Sequence, residues 1–364
     1  MLLYLHIPFC HRVCPYCSFY KHTPGATPIV RFIDALAAEA RTRIGAAEVP
    51  PRTLYLGGGT PSMLSPGHLT RLFAALHELI DFSRLDEVTL EANPATFDLT
   101  KARLFRDLGV TRVSLGVQSF SPQVLETLGR EHTPEQAAES VTLLRDAGIP
   151  QVNIDLMFSV PGQSAAEWQD TLCQALSLEP DHISAYNLTY EEDTAFFDSL
   201  RRGDAAINED VDADLFNLTD KLLEAAGFEH YETSNYARPG MHSSHNRGYW
   251  RGEDYLGLGP SAVSTVNAIR SKNIADTARY VEMIQGIGQA ITEAETLDPE
   301  ACRIERIALG LRTSDGIAMD LLDPPARARA ELMVHENLAR ITGGRLILAG
   351  RGRALVDPIA AELI

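Results

Sequence analysis

The sequence predicts an α/β fold with a parallel sheet, arranged as an open, partial (βα)6 barrel. Short apolar segments rich in Val, Leu, Ile, Tyr and Thr recur along the first half of the chain, and amphipathic stretches separate them. Several amphipathic stretches end in glycine, which is a common helix stop. Strands and helices that alternate in this way build βαβ units, and the six units counted here are too few for a closed eight-stranded barrel.

The boundaries of these elements follow from the apolar pattern. The predicted strands are residues 2–7, 53–56, 87–91, 112–117, 152–158 and 182–188. The predicted helices between them are residues 29–44, 66–80, 99–108, 134–147 and 165–176. We expect this region, residues 1–230, to form the barrel domain.

The alternation breaks down near residue 193. The pattern then predicts a helix at 212–226, a strand at 229–236, a loop at 238–259, and helices at 277–287, 302–311 and 326–341. Two short strands, 345–349 and 353–356, would flank a turn at 350–352. Helices followed by a hairpin predict a small α+β winged-helix-like domain at 290–364, with a connecting region at 231–289.

The charge of the chain limits its partners. The 364 residues include 49 acidic and 32 basic side chains, for a formal charge of −17, which repels nucleic acid and anionic lipid. From residue 300 onward nine arginines balance nine acidic residues, which is a poor footprint for phosphate binding. No apolar run approaches membrane-spanning length, and no basic leader precedes a cleavage site. We therefore expect a cytoplasmic protein without a membrane span.

Three cysteines, Cys10, Cys14 and Cys17, stand in the spacing C-x3-C-x2-C just after the first strand. A disulfide framework is a poor fit, because the chain is long and has five cysteines, an odd number. Three close thiolates suit an iron–sulfur cluster, which usually takes four cysteines, so one iron would stay open for a small molecule. On spacing alone, a zinc site completed by a nearby histidine, a thioredoxin-type pair and chance remain alternatives.

Other chemically distinctive residues follow the predicted strands. They are Gly57-Gly58-Gly59-Thr60-Pro61-Ser62 after the second strand, Glu91-Ala92-Asn93-Pro94 at the end of the third, Gln118-Ser119-Phe120 after the fourth, and Asp155 within the fifth. Because parallel α/β folds place their sites at the carboxyl ends of strands, we expect these groups to converge on one face. A carboxylate such as Asp155 is expensive to bury in an apolar strand without a partner, so it is a strong candidate for function.

The glycine segment at residues 57–62 helps to identify the kind of site that the cysteines form. It lacks the Gly-Lys-Ser/Thr end of a phosphate-binding P-loop, and its bare backbone allows a ligand to approach closely. Combined with C-x3-C-x2-C at the end of the preceding strand, it resembles the radical S-adenosylmethionine (SAM) superfamily. The resemblance implies a partial (βα)6 radical SAM barrel and a [4Fe–4S] cluster on Cys10, Cys14 and Cys17. The open iron would bind the amino and carboxylate groups of SAM.

Further motifs resemble the oxygen-independent coproporphyrinogen III oxidase group, from residue 2 to the C-terminal end. They are Tyr-Leu-His-Ile-Pro-Phe-Cys at 4–10, Gly-Val-Gln-Ser-Phe at 116–120 and Asn-Ile-Asp-Leu at 153–156. The decarboxylating oxidase of this group has another cysteine two positions after the third, where this chain has Phe19. A heme-chaperone branch has phenylalanine there and an H-N-x-x-Y-W motif, which matches residues 245–250. The chain resembles that branch more closely, and the oxidase is the alternative function.

The resemblance assigns SAM contacts residue by residue. Tyr16 would contact the adenine edge, and Gly58, Gly59 and Thr60 would meet the amino and carboxylate end. The remaining positions that match SAM contacts are Glu91, Gln118, Arg130 and Asp155, with Tyr4 and Thr189 as further matches. From the residues alone, Glu91 could instead cap a turn and Arg130 could be a surface residue. The resemblance does not indicate whether SAM is cleaved or only bound, and coproporphyrinogen oxidase activity is not expected.

The resemblance also assigns heme contacts to His245, Asn246, Tyr249 and Trp250. Imidazole is a ready iron ligand, and aromatic rings offer flat apolar surface to a macrocycle. Without the resemblance, the favoured interpretation is that these residues pack a loop onto the barrel, and His242 is a neighbouring alternative for heme contact. The implied partners are heme and heme-acceptor proteins, with no nucleic acid. Peripheral contact with membrane hemoproteins and a homodimer are both compatible with this assignment.

Overall fold

The computed structural model describes residues 1–204 and 206–364. The strands are β1 (Leu2–Ile7), β2 (Thr53–Gly58), β3 (Glu87–Ala92), β4 (Arg112–Gln118), β5 (Gln151–Phe158), β6 (His182–Asn187), β7 (Glu229–Glu232), β8 (Asn235–Ala237), β9 (Tyr255–Leu258), β10 (Val263–Val266), β11 (Ile269–Asn273), β12 (Ile291–Thr296), β13 (Ile317–Ala318), β14 (Ala339–Thr342) and β15 (Arg345–Leu348). The helices are α1 (Ile29–Gly45), α2 (Pro66–His77), α3 (Leu99–Asp107), α4 (Pro122–Thr127), α5 (Pro134–Ala147), α6 (Ala165–Ser177), α7 (Ala195–Arg202), α8 (Glu209–Ala225), α9 (Ser244–Trp250), α10 (Thr277–Ile287), α11 (Pro299–Leu311), α12 (Pro324–His335) and α13 (Val356–Leu363).

One large sheet holds twelve of the strands. Its order is β12-β11-β10-β9-β1-β2-β3-β4-β5-β6-β8-β7. Strands β1 to β6 pair in parallel in chain order, and β9 pairs in parallel with the other edge of β1. The predicted partial barrel of six βα units is therefore confirmed, and most strand boundaries differ from the prediction by only one or two residues.

The helices of the barrel start and stop where their side chains satisfy the backbone. Helix α5 begins with a capping box between Thr133 and Gln136 and ends at Gly148, whose φ of 80° suits glycine. Helix α6 begins with a second capping box, between Ser164 and Glu167. The apolar faces of α1, α2, α3, α5 and α6 cover the sheet in one large core, and α4 packs in a smaller cluster with Met157, Val160 and Leu188. These helices therefore hold the strand ends in fixed positions.

A buried carboxylate joins the barrel to its antiparallel extension. Glu39 in α1 is 1% exposed and accepts three hydrogen bonds from residues beyond the barrel. The donors are the Tyr280 hydroxyl at 2.6 Å, the Asn273 amide at 2.7 Å and the Gly259 backbone N–H at 2.8 Å. Because each donor is itself buried, each needs a hydrogen-bond acceptor, and the Glu39 carboxylate of α1 supplies one to α10, to β11 and to the end of β9.

The C-terminal segment has its own core. Helices α11, α12 and α13 pack with a three-stranded antiparallel sheet, β13-β15-β14, around Ile307, Leu346 and Leu363. Strand β12, by contrast, lies at the edge of the large sheet. The domain boundaries predicted at residues 230 and 289 stay a prediction. The hydrophobic core of the C-terminal segment begins after β12, at Ile307. Within residues 1–204 and 206–364, no helix combines the length and apolar character needed to cross a membrane.

The predicted end of the chain was wrong in two respects. The helix predicted at 326–341 ends at His335, and β14 and β15 form a hairpin turning at Gly343 and Gly344, both with positive φ. A turn with two left-handed residues favours glycine and matches the twist of the strands. Residues 353–356 are not a strand, because Gly350–Leu355 forms a 3-10 helix.

The middle of the chain also differs from the prediction. The single strand predicted at 229–236 is the hairpin of β7 and β8. The loop predicted at 238–259 contains α9 and β9. Strands β10 to β12 were not predicted, because they lie toward a sheet edge and β12 is almost wholly exposed. Such a strand does not need the apolar alternation that marks a buried one.

The Glu39 network yields a stability prediction. We expect Glu39→Ala to lower the free energy of unfolding by about 3 kcal/mol. The change leaves the Tyr280 hydroxyl and the Gly259 N–H without an acceptor and removes one of the two acceptors of the Asn273 amide. Urea unfolding followed by circular dichroism measures the change. Glu78→Ala is the control, because Glu78 is 68% exposed in a 3.7 Å pair with Arg41. Equal urea midpoints for the two variants would contradict the expected contribution of the Glu39 hydrogen bonds to the free energy of unfolding.

Candidate functional site

A cavity of about 490 Å³ opens at the carboxyl ends of the parallel strands. This volume lies within the range of small-molecule sites. The residues singled out from the sequence that line it are Cys10, Cys14, Tyr16, Cys17, Gly58, Gly59, Thr60, Glu91, Gln118, Arg130, Asp155, Thr189 and Asn246. The structure therefore brings together the cysteines, the glycine segment and the carboxylates that follow different strands.

The glycine segment is tied directly to the start of the cysteine loop. The Gly59 N–H donates to the Ile7 carbonyl at 2.8 Å, and the Thr60 N–H donates to the Phe9 carbonyl at 2.8 Å. A Cβ atom at position 59 would lie 2.7 Å from both carbonyl oxygens, so only glycine fits. The pairing of β1 with β2 thus continues beyond the strand ends and places the loop against bare backbone.

The cysteine loop is held at its far end as well. The Cys10 N–H donates to the His22 carbonyl at 3.0 Å, and the His22 ring is hydrogen-bonded to Thr277 at 2.7 Å. Burial raises the pKa of the Cys10 and Cys17 thiols. Without a metal both groups therefore favour the protonated form, and binding of a metal would release protons.

The arrangement of the three cysteines distinguishes a zinc site from a cluster site. Across residues 1–204 and 206–364, no group of three or more His, Cys, Asp or Glu side chains is placed to hold a single metal ion. Zinc bonds each thiolate at about 2.3 Å, so its sulfurs crowd around one point. In a [4Fe–4S] cube each thiolate bonds a different iron, and the sulfurs stand farther apart. Cys10, Cys14 and Cys17 all line the cavity without converging on one ion position, which fits the cluster better than zinc.

Glu91 is a partly buried carboxylate at the end of β3. The Tyr55 hydroxyl donates to Oε1 at 2.8 Å, and the Gly58 N–H donates to Oε2 at 3.1 Å. Burial raises the pKa of Glu91 to about 7, although both donors favour the ionised form. Its donors belong to β2, so it does not merely cap its own turn. Glu91 would change charge near neutral pH within the cavity.

Asp155 projects into the same cavity from β5. The Asn153 amide donates to Oδ1 at 2.7 Å, and the Ser114 hydroxyl donates to Oδ2 at 3.0 Å. Burial raises the pKa of Asp155, and these donors oppose that effect. Two oriented carboxylates in a cavity favour a ligand that carries hydroxyl or ammonium donors.

Arg130 joins the cysteine loop to the strand ends and is not a surface residue. Its Nη2 donates to the Gly116 carbonyl at 2.6 Å and to Asn93 Oδ1 at 2.7 Å. Its Nη1 lies 3.6 Å from the Cys14 sulfur.

Gln118, at the end of β4, has a φ of 67° at a break in the β4–β5 register. Such a bulge redirects a side chain at a strand end.

The histidine predicted to contact heme lies in the protein interior. The His245 side chain is fully buried, hydrogen-bonded through Nδ1 to Thr53 at 2.8 Å and stacked on Tyr55 at 4.9 Å. Burial lowers the pKa of His245 to about 3, so the ring stays neutral. The Glu87 carboxylate accepts from the N-terminus of α9, including the Ser244 N–H at 2.7 Å. Helix α9 therefore packs against the barrel with His245 facing inward.

The other residues of the motif face different surroundings. Asn246 lines the main cavity, and Tyr249 packs edge-on against His245 at 4.9 Å. Trp250 borders a separate hollow, shared with the C-terminal segment. The four residues predicted to contact heme do not share one surface, and that assignment stays a prediction. His242 contacts Glu229 at 2.8 Å, and the Tyr4 hydroxyl contacts His6 at 3.0 Å, outside the cavity lining.

Sequence reasoning missed several cavity residues. Arg112 and Ser114 line the cavity together with Gly116 and Gln118, so alternate residues of β4 share one face. The two-residue period of a strand would have indicated this, once Gln118 was singled out. Tyr186 also lines the cavity, from β6. No motif marked it.

Comparisons with known proteins agree with this geometry. The family model for the Radical SAM superfamily matches residues 4–173. The solved coproporphyrinogen III oxidase (HemN) from Escherichia coli superposes with a TM-score of 0.85, covering 100% of this chain and 89% of that one. At 23% identity, this likeness shows the fold alone.

Curated relatives align over almost the whole chain. The heme chaperone HemW of Mycobacterium tuberculosis is 37% identical, with 100% of this chain and 94% of the relative covered. The heme chaperone HemW of Lactococcus lactis is 34% identical, with 99% and 94% covered. A radical S-adenosyl methionine domain-containing protein 1, mitochondrial, of Danio rerio is 33% identical, with 96% and 82% covered. The chain therefore belongs to the heme chaperone HemW family within the radical SAM superfamily.

Proposed function

We propose that this protein is a heme chaperone that binds heme and transfers it to acceptor proteins. The main support is the end-to-end alignment with relatives named heme chaperone HemW. A second support is Phe19, which lines the cavity where the oxidase has a further cysteine. The protein carries a [4Fe–4S] cluster and SAM as members of its superfamily do.

The cavity residues divide naturally between the two cofactors. Cys10, Cys14 and Cys17 would hold three iron atoms, and the fourth would accept the amino and carboxylate groups of SAM. Gly58, Gly59 and Thr60 line the wall next to the cysteine loop and would meet the same end of SAM. When bound, the cluster supplies an electron donor beside SAM.

The other contacts follow from the chemistry of each side chain. Glu91 and Asp155 would accept from ammonium or ribose hydroxyl groups, and Arg130 would donate to a carboxylate. Tyr16 and Gln118 complete the wall at the cysteine loop and the end of β4, with Thr189 after β6. Heme and its acceptor proteins are the proposed partners. We place the protein in the cytoplasm, where thiols stay reduced and available to metal.

The coproporphyrinogen oxidase reaction is the less favoured alternative. The shared fold favours it, but Phe19 offers no thiol at the position where the oxidase has one. An anaerobic assay with SAM, a reductant and coproporphyrinogen III tests the reaction by release of carbon dioxide. We expect no release, because the side chain at that position lacks the required chemistry.

Cluster assembly should depend on the three cysteines of the loop. After anaerobic reconstitution we expect about four iron and four sulfide per chain in the wild type and a large loss in Cys14→Ser. Iron and sulfide analysis measures both values. Cys173→Ser is the matched control, since Cys173 is exposed on α6. A full complement of iron in Cys14→Ser would contradict the assignment.

SAM affinity should depend on pH through Glu91. Burial raises the pKa of this carboxyl to about 7, so the fraction ionised falls from most of the molecules at about pH 8 to about one tenth at pH 6. If the carboxylate attracts the cationic ligand, affinity should be roughly tenfold weaker at pH 6 than at pH 8. Isothermal titration of cluster-loaded protein measures this. Glu91→Gln should flatten the dependence, and an unchanged slope would count against the role of Glu91.

Heme binding is the direct test of the proposed function. Titration of cluster-loaded protein with heme should give a saturable shift of the Soret band. Mixing the loaded protein with an apo-hemoprotein should then move that band to the position of the acceptor. A wild-type protein that shows no Soret shift would overturn the chaperone assignment.

A further inference from the structure

The cysteine loop exposes an apolar surface at the cavity entrance. The Phe19 side chain is 68% exposed, and Val13 on the same loop is 46% exposed. Phe19 also lines the cavity. Leaving a phenyl ring in water forgoes about 1.5–3 kcal/mol of burial free energy, so a cluster loop gains from a ligand that covers it.

Cations stand beside this apolar surface. Arg12 and Lys21 line the same cavity as Phe19. Within the described part of the chain, Arg12 forms no salt bridge and its side chain donates no hydrogen bond, whereas the Lys21 ammonium donates to the Cys17 carbonyl. The chain as a whole carries −17. A local pair of cations therefore favours the approach of an anionic molecule to this part of an acidic protein.

An iron ligand is also available on the loop. His11 is exposed and borders a small hollow with Arg12 and Cys14. A neutral imidazole binds heme iron through a ring nitrogen. His245, by comparison, is fully buried, so its Nε2, which has no hydrogen-bond partner, is inaccessible to a ligand in solvent.

We infer that heme docks on the cysteine loop at the cavity entrance, with Phe19 against the macrocycle. Arg12, with Lys21, would contact the propionates, and His11 would approach the iron. A flat, apolar, dianionic ligand matches an apolar surface bordered by cations in an otherwise acidic chain. The inference rests on the proposed heme-chaperone function and places its cargo at the entrance of the SAM cavity, not on helix α9.

Heme titration of matched variants tests the placement. We expect Phe19→Ser to weaken heme binding about tenfold, by loss of one buried ring face. Arg12→Glu should weaken it at low ionic strength and reduce its salt dependence. His11→Ala should move the Soret band of the bound heme. The controls are Ile287→Ser, since Ile287 is 67% exposed on α10, and His335→Ala, an exposed imidazole on α12.

The outcomes distinguish a failure of the proposed function from a failure of the proposed heme position. A wild type that binds no heme removes the proposed function. A wild type that binds heme, with Phe19→Ser and Arg12→Glu binding equally well, overturns only the placement. If Trp250→Ser binds heme weakly and Phe19→Ser binds it normally, the proposed placement is overturned and the hollow beside α9 is the heme site. Iron and sulfide are measured in every variant, and Phe19→Ala replaces Phe19→Ser if the serine variant loses the cluster.

Discussion

The backbone pairing beyond the ends of β1 and β2 is the constraint on which the rest of the site depends. Two hydrogen bonds, from Gly59 and Thr60 to the carbonyls of Ile7 and Phe9, hold the cysteine loop against the second strand. They form only because position 59 has no side chain. The same contact lets a ligand lie on the glycine backbone while it faces the thiols. Cofactor binding is therefore built into the first strand pair of the sheet.

Hydrogen-bonded charged groups, partly open to the cavity, determine the remainder of its walls. Glu91 is satisfied by donors from β2, and Asp155 by donors from β4 and β5, so neighbouring strands supply what each carboxylate needs. Such networks offset the cost of burial and fix the side-chain directions. Arg130 adds a cation that spans the cysteine loop and the strand ends. The cavity is preorganised because its lining side chains are hydrogen-bonded to residues of neighbouring strands and of the cysteine loop.

Much of this architecture could be predicted from the sequence, for physical reasons. The six parallel strands are buried and apolar, and parallel geometry brings their carboxyl ends together. Strand β12 could not be predicted, because an exposed edge strand lacks that pattern. Helix α9 could not be predicted either, since its N-terminus is satisfied by Glu87, 157 residues earlier in the chain than Ser244. The burial of His245 depends on equally distant contacts with Thr53 and Tyr55.

The anchors of the cysteine loop have a consequence for the durability of the protein. The loop is tied down by Cys10 and His22 backbone contacts, and by Tyr20 and His22 contacts to Thr277, none of which uses a sulfur atom. Removal of the inorganic core therefore leaves these anchoring contacts in place. Reassembly then needs iron, sulfide and thiols in the reduced state, but it does not need the loop to form its anchors anew.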